Sequence, residues 1–298
     1  MEPDICIILN AKAGKRDAAV RDRIQAATDR HPGRFDLRII GKKADFAAEI
    51  DRIASARYRT IVAAGGDGTI SAVAAAAHQH QRILGVLPMG TFNFFARGLD
   101  LPEDIEAGID LLAEGPTRTV SLGAVNGRIF LNNASLGIYP AILAQREGTY
   151  RRWGRSRVAA HWSVIVTFFR FHRPLTMRVS IDGQQVRKKT PLAFVARSDF
   201  QLEQFQLDGV EDVRAGRHAL FLAPDSSRLG LFRFAVRLAW RSMRRGRDFE
   251  YYTGETIDIE TTHRRRLVAR DGERERMDSP FHFEVLKDAL TVIAPNRS

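Results

Sequence analysis

The chain has 298 residues, 44% of them hydrophobic and 27% charged, with 23 Gly, 11 Pro and one cysteine. That composition excludes a disordered tail, and the lone Cys6 excludes an internal disulfide framework and a cysteine-based zinc site. The net charge of +11 is unevenly spread: residues 1–122 hold 16 basic and 16 acidic side chains, whereas 123–298 hold 30 basic against 19 acidic.

At this length two lobes are a better expectation than one core. The basic second part calls for an anionic partner, either nucleic acid or an acidic membrane surface. Residues 158–169 form the longest uncharged stretch worth testing and reach only about half of the roughly 20 apolar residues a spanning helix needs. The N-terminus shows no basic, apolar and small-residue signal pattern, so the expectation is a cytoplasmic protein that is neither integral nor secreted.

Residues 4–9 (DICIIL) read as a strand ending in the polar turn NAKAGK, and residues 17–31 as a helix. Strands follow at 35–40, 60–64 and 83–87, with helices at 44–57 and 71–80 between them. Such alternation predicts an α/β lobe with a parallel sheet, whose ligand site lies in the loops beyond the carboxyl ends of the strands. From Val120 the pattern changes to strands joined by turn dipeptides such as Asn126-Gly127 and Asp182-Gly183, which predicts a β-rich, antiparallel second lobe. Helical stretches are expected near 150–171 and 232–245. Residues 289–294 (ALTVIA) read as a last strand that returns to complete the first lobe. The expected division is therefore 1–122 with 287–298 for the first lobe and 123–286 for the second.

The strand at 60–64 runs into Gly65-Gly66-Asp67-Gly68-Thr69 and then a helix. Three glycines in four residues let the backbone approach a ligand closely, and a helix N-terminus offers free N–H groups and a positive dipole end to a phosphate. The plainer alternative is a strand-to-helix turn in which Asp67 and Thr69 cap the helix. One strand later PMGTFN (88–93) opens a second loop on the same sheet edge, bringing Gly90, Thr91 and Asn93. With Asn10 and Lys12 at the end of the first strand, three loops point to a nucleotide phosphate site.

GGDGT, followed by PMGTFNFFAR and preceded by NAKAG, resembles the catalytic domain of the diacylglycerol kinase superfamily, in particular soluble bacterial lipid kinases of the YegS type. Supporting matches are ASLG (134–137) and RDGE (270–273). The resemblance implies an α/β fold of two lobes, a parallel-sheet nucleotide-binding lobe akin to NAD kinase and diacylglycerol kinases and a larger antiparallel β-rich lobe. It also implies transfer of the γ-phosphoryl group of ATP to a lipid hydroxyl, with Mg²⁺. On that basis Asn10, Gly65, Gly66, Asp67, Gly68, Thr69, Gly90, Thr91 and Asn93 would bind ATP. Asp67 would lie near the metal, Asp271 would be the general base, and Glu273 would stand beside it. Read without the resemblance, Asp271-Gly272 is a hairpin turn. The chain departs from the family pattern at Ala11, Gly41 and Phe94, and at Leu229, where an aspartate holds a structural Mg²⁺; that site is expected to be absent or rebuilt.

Arg146, Arg151, Arg152, Arg155 and Arg157 lead into an apolar stretch, and residues 231–247 interleave six arginines with aromatic and aliphatic residues and no acid. That mixture suits the headgroups of an anionic bilayer, with a solvated arginine face over core residues as the alternative. The expected partners are thus ATP, a diacylglycerol-like lipid acceptor and the inner face of a membrane, and no nucleic acid. The sequence leaves a homodimer open. Competing readings are an NAD kinase-like activity and a catalytically weak, membrane-associated nucleotide-binding regulator.

Overall fold

The structure, a computed structural model, describes residues 3–10, 15–41, 45–137, 174–225, 237 and 248–296. The chain divides into two compact units, Met1–Leu122 with Leu286–Ser298, and Gly123–Val285.

The first unit is built on β1 (Ile5–Asn10), β2 (Phe35–Ile40), β3 (Thr60–Gly65) and β4 (Ile83–Pro88), joined by α1 (Lys15–Thr28), α2 (Phe46–Ala54) and α3 (Asp67–Gln79). The strands run parallel in the order β2-β1-β3-β4, and Val292 near the end of β16 (Phe281–Ile293) pairs in parallel with Leu84 of β4. Alternate residues of β1 serve the two faces. Ile5, Ile7 and Leu9 pack with Ile24 of α1 and with Ile109 and Leu112 of α5 (Ile105–Glu114). Cys6 and Ile8 are fully buried on the opposite face. Burial pushes the Cys6 thiol up to about 12, so it behaves as a small apolar side chain rather than a nucleophile.

The second unit begins with β5 (Thr117–Val125), which crosses the boundary, and continues through β6 (Arg128–Phe130), β7 (Asn133–Gly137), β8 (Leu175–Ile181), β9 (Gln184–Thr190), β10 (Leu192–Ala196) and β11 (His218–Leu222). After these come β12 (Glu250–Gly254), β13 (Thr256–Thr261), β14 (Arg265–Arg270) and β15 (Glu273–Asp278). A six-stranded antiparallel sheet runs β12-β11-β10-β7-β14-β15, and β13 lies between the first half of β16 and the β8–β9 hairpin. Inward residues at every second position form one core that includes Phe130, Leu136, Val179, Val195, Leu220, Ile257, Phe281 and Phe283. The helices α6 (Asp199–Phe205) and α7 (Val210–Arg214) bring Leu202 and Val213 to a second cluster with Ala219, Phe221 and Phe249.

Asn126-Gly127, Asp182-Gly183 and Asp271-Gly272 all have positive φ at both residues, from 45° to 88°, the two-residue turn whose twist suits a hairpin. The α/β fold with a parallel first unit and an antiparallel β-rich second unit is therefore as the sequence implies. Its details differ in four places. α3 begins at Asp67 rather than near Ile70, and its N-cap is Gly66 with no side-chain acceptor, so neither Asp67 nor Thr69 caps it. α4 (Phe94–Gly98) and α5 fill a stretch to which the sequence reading gave no element, as do α6 and α7. The terminal strand is 13 residues long, starting at Phe281 rather than at 289. The helical stretches expected near 150–171 and 232–245, the arginine clusters and Leu229 lie outside the described residues, apart from Arg237, which is ion-paired with Asp248.

Candidate functional site

The order β2-β1-β3 reverses the direction of winding between β1 and β3, and in an open parallel sheet the crevice at such a reversal, beyond the carboxyl ends, is where ligands bind. β1 ends in Asn10 and β3 ends in Gly65, so the predicted residues flank that point. Asn10 Nδ2 donates to Thr69 Oγ1 at 3.3 Å and ties the end of β1 to the first turn of α3.

Gly66 is extended, and its carbonyl accepts the N–H groups of Thr69 and Ile70 at 2.9 and 3.0 Å to start α3. Among the described residues the N–H groups of the first turn have no side-chain acceptor, so the positive end of a 13-residue helix faces the crevice uncapped by them. The next loop closes directly onto this one. Met89 N–H donates to Gly65 O at 2.8 Å, and a Cβ on Gly90 would fall 2.8 Å from Gly66 Cα and 2.6 Å from Asn93 Oδ1. Both glycines are needed because backbone meets backbone, a requirement of packing and not only of the turn.

Asp67 supplies the second tie between these loops. Its Oδ2 accepts Asn93 N–H at 3.1 Å and its Oδ1 accepts Phe94 N–H at 3.0 Å, so the carboxylate spans the start of α4. Asn93, only 3% exposed and left-handed at φ 49°, spends its side chain on Gly90: Oδ1 accepts Gly90 N–H at 2.9 Å and Nδ2 donates to Gly90 O at 3.1 Å. The structure thus uses the Asn93 side chain to shape the PMGTFN loop. Gly68 and Thr91 are exposed at the same edge. Phe92, 55% exposed, stacks on Phe94 with centroids 5.5 Å apart and planes 5° apart, a feature that the sequence reading did not single out.

Asp271 and Glu273 belong to the second unit, at the turn between β14 and β15. The Asp271 carboxylate accepts three backbone N–H groups, from Leu131 at 2.7 Å and from Asn132 and Asn133 at 2.8 and 3.2 Å, while its own N–H donates to Asn133 O at 2.9 Å. Arg270 beside it donates to Ile129 O at 2.6 Å and to Glu275 at 2.9 Å. Asp271 is therefore both the hairpin turn and a fixed carboxylate bound to the segment that enters β7. Glu273 is exposed and paired in register with Arg270.

The first unit fits a nucleotide phosphate: an uncapped helix N-terminus, two glycine loops in backbone contact and the side chains of Asn10 and Thr69 share one edge. A protein-built metal cage is a different matter. Among the described residues no group of three or more His, Cys, Asp and Glu side chains is arranged to hold a cation. Each Asp67 oxygen accepts one backbone N–H, and a carboxylate offers about four lone-pair sites in all. Asp67 can thus meet a cation that phosphates carry, as Mg²⁺ is commonly held.

Residues 4–125 match the family model described as "Diacylglycerol kinase catalytic domain". A diacylglycerol kinase of Staphylococcus epidermidis is 42% identical over 98 residues, 32% of this chain and 31% of that protein. A Cronobacter sakazakii protein named "Probable lipid kinase YegS-like" is 34% identical over 136 residues, 44% of each chain. The chain thus spans about a third of the Staphylococcus relative and under half of the Cronobacter one. A crystal structure of a diacylglycerol kinase from Bacillus anthracis strain Sterne shares the fold, with a TM-score of 0.71 at 19% identity over 98% of this chain and 96% of that one.

Proposed function

We propose, from the match of residues 4–125 to the diacylglycerol kinase catalytic domain, that the chain is a member of that superfamily and an ATP-dependent lipid kinase that phosphorylates the free hydroxyl of a diacylglycerol-like acceptor. The observation that carries the reading is the open N-terminus of α3 between two glycine loops that touch, with Asp67 fastening one loop to the other. Phosphoryl transfer asks little covalent chemistry of a protein; it asks that the triphosphate be held and the attacking oxygen aimed.

In this reading the N–H groups of Asp67 and Gly68 and the Thr69 hydroxyl receive the phosphates, with Gly65, Gly66 and Gly90 keeping side chains out of their way. Asn10 orients Thr69, Asn93 holds the loop that presents Thr91, and Asp67 keeps the two loops in register. Asp67 would meet a Mg²⁺ ion carried by ATP, and that ion would supply neutralisation of the triphosphate charge. Asp271, fixed by three amides, takes the proton of the attacking lipid hydroxyl, and Glu273 adds negative charge near it. A carboxylate already held in one orientation suits that task, since a base must be within hydrogen-bond reach of the proton it removes.

The acceptor is reached at a membrane surface, where the arginine-rich stretches at 146–157 and 231–247 meet anionic headgroups. No helix among the described residues is long and apolar enough to cross a membrane. Vesicles with anionic lipid should bind the protein more tightly than neutral ones, and the difference should shrink as salt is raised.

The test is γ-labelled ATP with a panel of diacylglycerols, a monoacylglycerol, sphingosine and NAD. Label in a diacylglycerol product is expected. Label in NAD alone would make the chain an NAD kinase, and ATP binding without any transfer would make it a nucleotide-binding regulator.

A further inference from the structure

We infer that Gln201, acting through Asn133, is a positioning residue for the Asp271 carboxylate; the inference rests on Asp271 being the base of the reaction proposed above. Asn133 is bonded to Asp271 by both of its main-chain groups, N–H to Oδ1 at 3.2 Å and C=O from the Asp271 N–H at 2.9 Å. Its side chain points the other way in the network: Nδ2 donates to Gln201 Oε1 at 3.0 Å, a bond buried on both sides, with Asn133 7% and Gln201 7% exposed. One residue therefore separates Gln201 from the proposed base.

The local sequence shows that Gln201 is diverted to this task. Ser198-Asp199-Phe200-Gln201 has the spacing of a capping box, in which the Gln side chain would reach back to the Ser198 N–H. Ser198 Oγ does cap the helix, accepting Gln201 N–H at 3.1 Å. Ser198 N–H, however, goes to Asn132 O at 3.2 Å, alongside Arg197 N–H at 2.8 Å. The box is thus opened into a tertiary lock: α6 grips the carbonyl of Asn132 with its entry amides and the side chain of Asn133 with Gln201. The same two residues give their N–H groups to Asp271.

Stability alone gives little reason for this lock. Among the described residues Asn133 Oδ1, Asn132 Oδ1 and Ser135 Oγ are buried and find no hydrogen-bond partner, a cost that apolar side chains at the same positions would avoid. A polar network kept at such a cost is explained if it fixes the direction of a group that must be aimed.

The experiment compares wild type, Gln201→Met, Gln201→Glu and the double variant Asn133→Leu/Gln201→Met, all in the full chain. It reads kcat and KM with ATP and dioctanoylglycerol, melting temperature, and amide exchange at Leu131–Asn133. Gln201→Met should lower kcat by about 10-fold or more with KM for ATP within about twofold, as expected for a loosened base. Gln201→Glu, which still offers an acceptor to Asn133, should recover most of kcat. The double variant removes both partners, so it should keep its melting temperature within a few degrees while kcat stays low and the Leu131–Asn133 amides exchange faster. Wild-type kcat and exchange protection in Gln201→Met and the double variant would overturn the inference, and so would unfolding of both, which would assign the pair to stability alone. If wild type transfers no phosphoryl group at all, the proposed function fails, while the exchange measurement still decides whether Gln201 holds the Asp271 anchor.

Discussion

The backbone N–H of Phe94 reaches Oδ1 of Asp67 at 3.0 Å, so the tie between the glycine loop and the start of α4 is made by main chain on one side and a carboxylate on the other. Asp67→Ala removes this bond and its companion from Asn93 N–H. Hydrogen bonds to a charged group contribute about 1.5–3 kcal/mol each, and the site is half-buried, so a loss of about 2 kcal/mol is expected. Urea denaturation checks the stability. Calorimetric titration should show ATP affinity falling more than that instability accounts for.

Gly90→Ala is expected to be worse for binding than its single methyl suggests. The new Cβ would lie 2.8 Å from Gly66 Cα, a backbone atom that cannot swing aside, and 2.6 Å from Asn93 Oδ1. The two loops must part, at a cost of about 1–3 kcal/mol typical of overpacking. Gly127→Ala is the comparison: nothing lies within 4 Å of its Cβ, but φ is +73°, so its penalty is one of backbone strain at a hairpin far from the nucleotide loops in sequence. ATP affinity should fall at least tenfold in the first variant and be unchanged in the second.

Asp271→Asn tests a base and an anchor together. An asparagine keeps one acceptor oxygen and turns an NH₂ donor toward backbone N–H groups that now meet a carboxylate. A melting temperature lowered by several degrees is therefore expected, for about 1–3 kcal/mol of lost stability. Transfer measured well below that temperature should still fall at least 100-fold if the carboxylate takes the proton; a loss that merely follows the unfolded fraction would leave it as an anchor only.

His218 gives the second unit an acid sensitivity of its own. It is fully buried and stacks on Phe130 at 5.8 Å, and among the described residues neither ring nitrogen reaches a hydrogen-bond partner, although the backbones of Glu284 and Ala196 lie near enough to oppose part of the effect. Burial pushes its pKa down from 6.5 to about 4. The unfolded chain then binds a proton that the folded chain refuses, so stability is full above about pH 6.5 and declines as pH falls toward 4. The loss is at most about 3 kcal/mol, from 1.36 kcal/mol per pH unit. Unfolding curves between pH 7 and 5 should slope less in His218→Phe than in wild type.

The first unit was largely legible because its strands are short apolar runs spaced by amphipathic stretches, and β2 falls at 35–40 in both readings. The glycine loops announced themselves because three glycines in four residues are more than a turn needs. Their connection was not legible: Asp67 meets amides 26 and 27 residues away, and Asn93 turns its side chain back on Gly90, both results of packing. α5 carried a readable signal, Asp104 as N-cap with Ile105, Ile109 and Leu112 on one face. α4, five residues behind a left-handed Asn93, is too short to show a period. Asp271-Gly272 could be read as a turn or as part of a site; the structure shows the turn and adds that its carboxylate anchors the entry to β7.

The central claim, transfer of the γ-phosphoryl group to a lipid hydroxyl, is tested most directly by phosphorus NMR of wild-type protein with ATP and dioctanoylglycerol. ADP and a new phosphomonoester should appear in equal amounts, and trioctanoylglycerol, which has no free hydroxyl, should give neither. ATP that binds and stays intact, or ADP that forms with inorganic phosphate and no phosphomonoester, would contradict the account.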